Sequence, residues 1–227
     1  MSVPATGIGG AWLLFALRLA VASIAGAVLS VGVAVVLFFS LSNTAQAADS
    51  IPRAAQQHRL PLRQAAHMAW GLDAPVAVFA AQLHQESRWR PDARSPVGAL
   101  GLAQFMPATA QWIGGLDLGL AHRTPTNPTW AVRALVTYDR WLWQRIPNAA
   151  DDCQRMAYVL SAYNGGLGWV YKRQRLSPQP AVCLRATCHI NPGITAAAQA
   201  ENQHYPLAIL QQHQPIYRTW GPGLCNG

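Results

Sequence analysis

The chain has 227 residues, of which 51% are hydrophobic and 11% are charged, and its formal net charge is +8. This length suits one ordinary domain plus a short appendage, and the high apolar content excludes a disordered chain. Much of the apolar content is concentrated at the N-terminus, so the composition overstates the core of the remaining domain.

An uncharged, apolar stretch covers residues 19–41. At about 1.5 Å per residue, a helix of that length reaches the thickness of the hydrocarbon core of a bilayer. Arg18 stands directly before the stretch, and the next charged residue is Asp49. A basic residue ahead of an apolar helix stays in the cytoplasm, so we expect the chain that follows to be exported.

The sequence Ala-Gln-Ala at positions 45–47 is a small-x-small site that a signal peptidase can cut. An apolar stretch this long also suits an uncleaved membrane anchor. Two interpretations of residues 1–47 therefore stay open, a signal peptide and a signal-anchor. In both, residues 48–227 form a domain that lies in the periplasm or is held on the outer side of the cytoplasmic membrane.

The first helical pattern of this domain covers residues 63–70, and Gly71 is its predicted end. Asp73 is the predicted N-cap of the next helix, with Pro75 in its first turn. The apolar positions of that helix follow the spacing of an amphipathic helix and are Val76, Phe79, Ala80 and Leu83.

A longer helix is predicted to begin at its N-cap Thr129, and a further helix covers residues 156–163 before Gly165 and Gly166. Charged side chains alternate with the apolar positions of the longer helix and are Arg133, Asp139 and Arg140. No segment shows a convincing hairpin pattern. The fold class is therefore predicted to be mainly α.

The exported domain contains four cysteines, Cys153, Cys183, Cys188 and Cys225. An even number of cysteines in an exported chain indicates two disulfides. Among the three pairings that four cysteines allow, we predict Cys183 with Cys188 and Cys153 with Cys225. A Cys/His metal site that uses His189 is the weaker alternative because no C-x-x-C pair is present. We predict no metal and no cofactor.

The positive charge of an exported chain favours an acidic wall polymer or a membrane surface as its neighbour. Nucleic acid is the rival partner, but the basic residues are scattered and residues 172–175 form the one tight cluster. That cluster is interpreted as the solvated end of a helix. We therefore predict no nucleic-acid partner.

Glutamate occurs twice in the chain, at Glu86 and Glu201. Glu86 lies seven residues after Phe79 and three after Leu83, which places it on the apolar face of its helix at the C-terminal end. Apolar surroundings and the negative end of the helix dipole both disfavour a carboxylate. Both effects raise the pKa of Glu86 towards the range that a general acid needs at neutral pH.

Three sequence blocks stand in order, ESRWRPDARS at residues 86–95, GALGLAQFMPATA at residues 98–110 and AYNGG at residues 162–166. Together they resemble the blocks of the soluble lytic transglycosylase (SLT) family, which is similar to goose-type lysozyme. The resemblance covers about residues 75–205, and several fixed positions in three blocks make it more specific than a single short motif. It implies a lysozyme-like helical domain with a substrate cleft.

Under this resemblance Glu86 matches the single catalytic acid and base. The positions that match residues which bind or orient the sugar are Ser95, Gln104, Tyr163, Asn164, Glu201 and Tyr205. Two departures stand out. Ala103 replaces a methionine that is frequent in the family, which implies a wider subsite, and Pro206 falls where the family continues a helix.

The resemblance also implies a reaction, the cleavage of the β-1,4 bond between N-acetylmuramic acid and N-acetylglucosamine (MurNAc-GlcNAc) with formation of 1,6-anhydro-MurNAc ends. Most glycosidases use two carboxylates, and the candidates for a second one are Asp92, Asp117 and Glu201. One alternative is a lysozyme-type hydrolase in which Asp92 or Glu201 activates water. Another is a non-catalytic, wall-binding component of an envelope-spanning machine.

The expected partners follow from this reaction. They are the glycan strands of peptidoglycan and, if the N-terminal helix is not cleaved, the membrane. Secretion, conjugation and phage machinery are the assemblies that compact exported enzymes of this kind serve, and no sequence feature chooses among them.

Overall fold

A computed structural model describes residues 50–225. The apolar stretch at residues 19–41 and the predicted boundary at residue 47 lie outside the described residues. Within residues 50–225, no helix is both long and apolar enough to cross a membrane.

Helices dominate the described chain. The α-helices are α1 (Arg53–Gln56), α2 (Arg59–Trp70), α3 (Val76–Ser87), α4 (Pro107–Ile113), α5 (Pro128–Gln144), α6 (Asp152–Gly165), α7 (Leu167–Leu176) and α8 (Ala196–Leu207). The shorter helical turns are the 3-10 helices Leu118–Leu120, Thr187–His189 and Gln214–Tyr217 and the π-helix Ala208–His213. Between residues 50 and 225, β-pairing is limited to isolated bridges that join Leu100 to Arg94 and to Phe105. The mainly α prediction is confirmed.

The first two predicted helices are present with changed beginnings. Helix α2 starts four residues earlier than predicted, at Arg59, and ends as predicted at Gly71, whose φ is 87°. The predicted N-cap Asp73 is wrong, because α3 begins directly after Pro75 and has no side-chain cap. The fixed φ of proline already matches the start of a helix, so no cap is needed to set the direction of the chain.

Helices α5 and α6 have asparagine and aspartate caps, respectively, that the sequence did not predict. Asn127 caps α5 by accepting from the backbone N–H of Trp130 at 3.0 Å, so the predicted cap Thr129 is wrong. Helix α6 starts at its cap Asp151, earlier than predicted, and ends at Gly166 with a φ of 102°. Both caps are residue types whose short polar side chains reach the free N–H groups of the first turn.

Helix α3 is the centre of the core. Every residue from 76 to 83 is buried, so the helix is enclosed on all sides and is not the amphipathic surface helix that its spacing predicts. It packs against the π-helix and the following 3-10 helix, while α2 packs on α5, and α6 packs on α5, α7 and α8. Glu86 lies at the end of α3, where the enclosed stretch stops.

The basic cluster at residues 172–175 is not the uniformly solvated helix end that we expected. Lys172 and Arg175 are exposed on α7, but Arg173 is 1% exposed and points into the protein. One member of an apparently ordinary surface cluster is therefore an interior cation.

Both predicted disulfides are confirmed. Cys153 pairs with Cys225 across 72 residues, and Cys183 pairs with Cys188 across 5. The first bond fixes the C-terminal segment to the start of α6, and no cysteine among residues 50–225 is free.

We expect the two bonds to contribute unequally to stability. Loop-closure entropy predicts that Cys153→Ser with Cys225→Ser lowers the free energy of unfolding by about 4 kcal/mol, while Cys183→Ser with Cys188→Ser lowers it by about 2 kcal/mol. Urea denaturation of the two double variants measures this difference. Equal losses would show that strain or packing, and not the length of the closed loop, governs the contribution of each bond.

Candidate active site

A cleft of about 580 Å³ lies between the end of α3, the loop before α4, and helices α6 and α8. All seven residues that the sequence analysis selected line it, namely Glu86, Ser95, Gln104, Tyr163, Asn164, Glu201 and Tyr205. Residues that are distant in sequence are therefore brought to one cavity of the size that small-molecule sites usually have.

Glu86 is the acidic group at the floor of the cleft. It is half-buried, and its Oε1 accepts a hydrogen bond from the hydroxyl of Tyr205. Burial raises the pKa of Glu86 to about 8, while the hydrogen bond from Tyr205 lowers it in part and the negative charge of Glu201 raises it. The carboxyl group is therefore protonated at neutral pH, as a general acid must be.

Tyr205 reaches Glu86 from α8, although Pro206 follows it. The proline lies in the last turn of α8, and the chain continues as the π-helix Ala208–His213. The hydroxyl of Tyr205 is buried beside Glu86, and both effects hold its pKa well above the usual value. Tyr205 therefore keeps its proton and acts as a donor to Glu86.

A tight loop between α3 and α4 supplies the wall with Ser95 and Gln104. The Oγ of Ser95 accepts from the backbone N–H of Ala99 at 2.9 Å. Gln104 has a φ of 49°, and its Nε2 donates to the carbonyl of Gly101 at 2.9 Å. A Cβ at Gly101 would lie 1.9 Å from the carbonyl oxygen of Pro125, so the loop can pass there because the residue is glycine.

The opposite wall consists of the end of α6 and one face of α8. The hydroxyl of Tyr163 donates to the carbonyl of Ala103 at 2.7 Å and so ties α6 to the loop. The Nδ2 of Asn164 donates to Oε1 of Glu201 at 3.0 Å, which joins α6 to α8. Glu201 is exposed, so its second oxygen remains accessible from the cleft.

One expectation from the sequence is wrong. Ala103 is fully buried and does not line the cleft, so its small side chain does not widen a subsite. Its contribution to the site is the backbone carbonyl that Tyr163 contacts. The neighbouring Met106, which is 42% exposed, lines the cleft instead.

The three candidates for a second carboxylate have separate positions. Asp92 is exposed and lies outside the cleft. Asp117 also lies outside it and forms a salt bridge with Arg133 at 2.6 Å. Glu201 lines the cleft and is held by Asn164. One carboxylate other than Glu86 therefore borders the cavity.

Sequence reasoning missed a third acid near the site, Asp139 on α5. Asp139 is fully buried, and neither of its oxygens has a hydrogen bond of ordinary geometry among the described residues. Burial raises its pKa well above the usual value, the amide of Gln82 lowers it in part, and the negative charge of Glu86 raises it. A buried carboxyl without a cationic partner is held in its neutral form.

The spacing of α5 contains the signal for this burial. Asp139 follows Leu135 by four residues and precedes Leu142 by three, so it shares their buried face. Its neighbour Tyr138 lines the cleft and packs against Tyr163, with ring centroids 5.4 Å apart. Asp139 is therefore a buried acid that is next along α5 to a residue that lines the site.

No group of three or more His, Cys, Asp or Glu side chains in residues 50–225 is arranged to hold a metal ion. The cysteines that a Cys/His site would need are paired in disulfides. The polar groups that line the cleft are carboxyl, amide and hydroxyl groups and the imidazole of His204, all of which can hydrogen-bond a hydroxyl-rich ligand.

Comparisons with known proteins point in one direction. The sequence pattern described as "Transglycosylase SLT domain" matches residues 62–181. "Membrane-bound lytic murein transglycosylase F" of Shewanella halifaxensis is 32% identical over 120 residues, which are 53% of this chain and 24% of that protein. The protein of the same name from Pasteurella multocida is 33% identical over 105 residues, 46% of this chain and 20% of that protein. The chain thus matches about a quarter of the length of these relatives.

Among solved structures, the complex of the 70-kDa soluble lytic transglycosylase with bulgecin A is similar with a TM-score of 0.52 and 23% identity. The match covers 77% of this chain and 26% of that chain. At this identity the similarity shows a common fold, which agrees with the predicted lysozyme-like helical domain.

The raised pKa of Glu86 has a cost in stability that can be measured. The unfolded chain releases the proton near pH 4.5 and the folded chain near pH 8, so the free energy of unfolding falls as the pH rises between these values. We expect Glu86→Gln to be more stable than the parent by about 3 kcal/mol at most at pH 7, and equally stable at pH 4. Thermal denaturation at the two pH values checks this. A gain of the same size at both would contradict a buried, protonated Glu86.

Proposed function

The chain belongs to the family of the transglycosylase SLT domain, and on this premise we propose that it is a lytic transglycosylase that cleaves the MurNAc-GlcNAc bond of peptidoglycan. The observation that carries the proposal is one protonated carboxyl group, Glu86, in a cleft whose other selected residues are hydrogen-bonding groups. Ser95, Gln104 and Asn164 are neutral side chains of the kind that orient sugar hydroxyls and acetamido groups.

The first step needs a proton donor. Glu86 gives its proton to the glycosidic oxygen that leaves, while the acetamido oxygen of the same MurNAc attacks the anomeric carbon. One C–O bond breaks and one forms, so no enzyme carboxylate is needed as nucleophile. The Tyr205 hydroxyl stabilises the negative charge that Glu86 acquires, because a hydrogen bond to an ionised group is stronger than one to a neutral group.

The second step returns the proton. The Glu86 carboxylate removes the proton from the C6 hydroxyl of MurNAc, and the resulting oxygen attacks the anomeric carbon and displaces the acetamido oxygen. The product is a 1,6-anhydro ring, and no water enters. A group with a pKa near the working pH can perform both transfers efficiently.

A hydrolase on the same bond is the alternative, and Glu201 is the group that it would use. Glu201 borders the cleft, but its Oε1 accepts from Asn164. Asp139 is buried away from the cavity, and Asp92 and Asp117 do not line it. Glu201 is therefore the one of these four acids that is placed to activate water, and the products of the reaction separate hydrolysis from cyclisation.

The proposal includes the location of the enzyme. Residues 1–47 are a signal peptide or a signal-anchor, and residues 48–227 are the exported catalytic domain. The two disulfides support this location, since such bonds persist in oxidising compartments. The relatives named above carry the words "membrane-bound" in their names, which fits the anchored form.

The products of the reaction test the proposal. Purified sacculi digested with the full chain should release muropeptides with 1,6-anhydro-MurNAc ends, detected by mass spectrometry, and Glu86→Gln should release none above background. Glu201→Gln is the comparison variant, because it changes the other cleft carboxylate: its products should still carry anhydro ends, even where weaker binding slows their release. Products with reducing ends and no anhydro ends would show that the enzyme is the alternative hydrolase. Lysis by Glu86→Gln would show that Glu86 is not the catalytic acid.

A second prediction concerns the hydrogen bond to Glu86. Tyr205→Phe removes the donor that lowers the pKa of Glu86. The fall of kcat/KM at high pH should therefore shift to a higher pH. The maximal rate should fall about tenfold or more, because the transient carboxylate loses a hydrogen bond. The matched control is Tyr158→Phe, whose hydroxyl donates to Pro180. A fall of kcat/KM at an unchanged pH in Tyr205→Phe would show that Tyr205 does not act on Glu86.

A further inference from the structure

Arg173 is a buried cation whose contacts are all with neutral groups. Its side chain donates to the carbonyl of Ile190 at 3.0 Å, to Oε1 of Gln199 at 2.8 Å and to Oγ of Ser161 at 3.3 Å. The residue is 1% exposed, and burial lowers its pKa. Removing a guanidinium group from water costs free energy, and the hydrogen bonds of Arg173 must offset that desolvation cost.

A continuous chain of hydrogen bonds runs from Arg173 to the cleft. Ser161 Oγ donates to Oδ1 of Asn202 at 2.8 Å, and Nδ2 of Asn202 donates to Oδ1 of Asn164 at 2.9 Å. Nδ2 of Asn164 then donates to Oε1 of Glu201 at 3.0 Å. Asn164 and Glu201 line the cleft, whereas Ser161 and Asn202 are buried beneath it.

The chemistry of the first member gives this chain one direction. A guanidinium group has donors and no acceptor, so the Ser161 hydroxyl must accept from Arg173 and direct its single hydrogen elsewhere. That hydrogen goes to Oδ1 of Asn202. The Nδ2 of the same amide donates to the backbone carbonyl of Ser161 at 2.8 Å, and a carbonyl also accepts only, so two contacts fix the same orientation of Asn202.

The direction of these hydrogen bonds determines which atoms of Asn164 and Glu201 face the cleft. Nδ2 of Asn202 faces Asn164. Asn164 must therefore direct its Oδ1 towards Asn202 and its Nδ2 towards Glu201. Glu201 is then the acceptor at the end of the chain, and its other oxygen is left for a ligand. Close packing supports this arrangement, because a Cβ at Gly165 would lie 2.6 Å from Nδ2 of Asn202.

We propose that Arg173 is a positioning residue for substrate binding, which acts through Ser161 and Asn202 to hold Asn164 and Glu201 in the orientation that receives the sugar. The inference rests on the proposed function, because it takes the glycan strand as the ligand of this cleft. Arg173 does not touch Glu86, so its main effect is on binding of the glycan and not on the proton transfer.

Binding and catalysis separate this role from a structural one. In the full chain, Arg173→Met and Ser161→Ala should each raise the KM for glycan strands about tenfold and change kcat much less. Ser161→Ala leaves the contacts of Arg173 with Ile190 and Gln199 in place, so it keeps the proposal testable if Arg173→Met does not fold. Gln199→Leu is the matched control. It removes a hydrogen bond of Arg173 that is not part of the series leading to the cleft, so the KM should equal that of the parent.

A direct measurement uses the side-chain amide of Asn164. Its N–H resonances in a ¹⁵N-labelled protein should shift in Ser161→Ala and stay in place in Gln199→Leu. An unchanged Asn164 amide and KM in Ser161→Ala, or an equal loss in Gln199→Leu, would overturn the inference and make Arg173 a purely structural anchor.

Equilibrium binding in the Glu86→Gln background distinguishes this inference from the proposed function. The probe is a preparation of glycan strands freed of stem peptides by an amidase. If Glu86→Gln binds the strands and the double variant Glu86→Gln with Ser161→Ala binds them more weakly, the inference is supported. If the two proteins bind equally well, the inference is overturned and the proposed substrate class stands. No binding by Glu86→Gln would overturn the proposed substrate, and the inference would fall with it.

Discussion

The desolvation of a single carboxyl group is the constraint on which the site depends. Glu86 ends a helix whose residues 76–83 are all buried, so packed side chains replace much of the water that would otherwise stabilise its charge. Burial alone would produce an acid that cannot ionise. The hydroxyl of Tyr205 offsets part of this effect by donating to Oε1, and the negative charge of Glu201 adds to it. The resulting pKa of about 8 is the balance of the three. Such a group is protonated at rest and still tolerates a transient negative charge.

Helix α8 and the segment after it supply most of what Glu86 needs. Glu201 and Tyr205 are four residues apart, so both face the cleft from the same side of α8. Pro206 does not end this arrangement, since the chain continues directly into the π-helix Ala208–His213, which packs against α3. π-Helical turns are rare and occur frequently at functional sites. Here the turn lets one continuous segment support α3 and also deliver Tyr205 to the end of α3.

The sequence predicts the helical class and the seven cleft residues, because these depend on helical spacing and on the resemblance of short motif blocks. The even number of cysteines predicts two disulfides, and the short separation of Cys183 and Cys188 favours the pairing that the structure has. The sequence does not predict the burial of Asp139 or Arg173. A charged residue among apolar ones is usually assigned to the solvent side, and only the packing of α5 or α7 against other helices decides otherwise. The misassigned helix starts have a local cause, since Asn127 and Asp151 compete with nearby residues that can also cap.

The buried charges also bear on the proposal that one carboxylate performs both proton transfers. Asp139 is buried and has no cationic partner among residues 50–225, so ionising it as well as Glu86 would place two anions in the interior at once. The buried cation, Arg173, faces neutral groups instead, and its donors lead outward to Asn164 and Glu201. Among the residues that the structure describes, neither Asp139 nor Arg173 therefore serves Glu86 as a second base or as a counter-ion. In the proposed mechanism, the proton that Glu86 gives to the leaving oxygen returns to Glu86, and the C6 hydroxyl of the substrate supplies it on cyclisation.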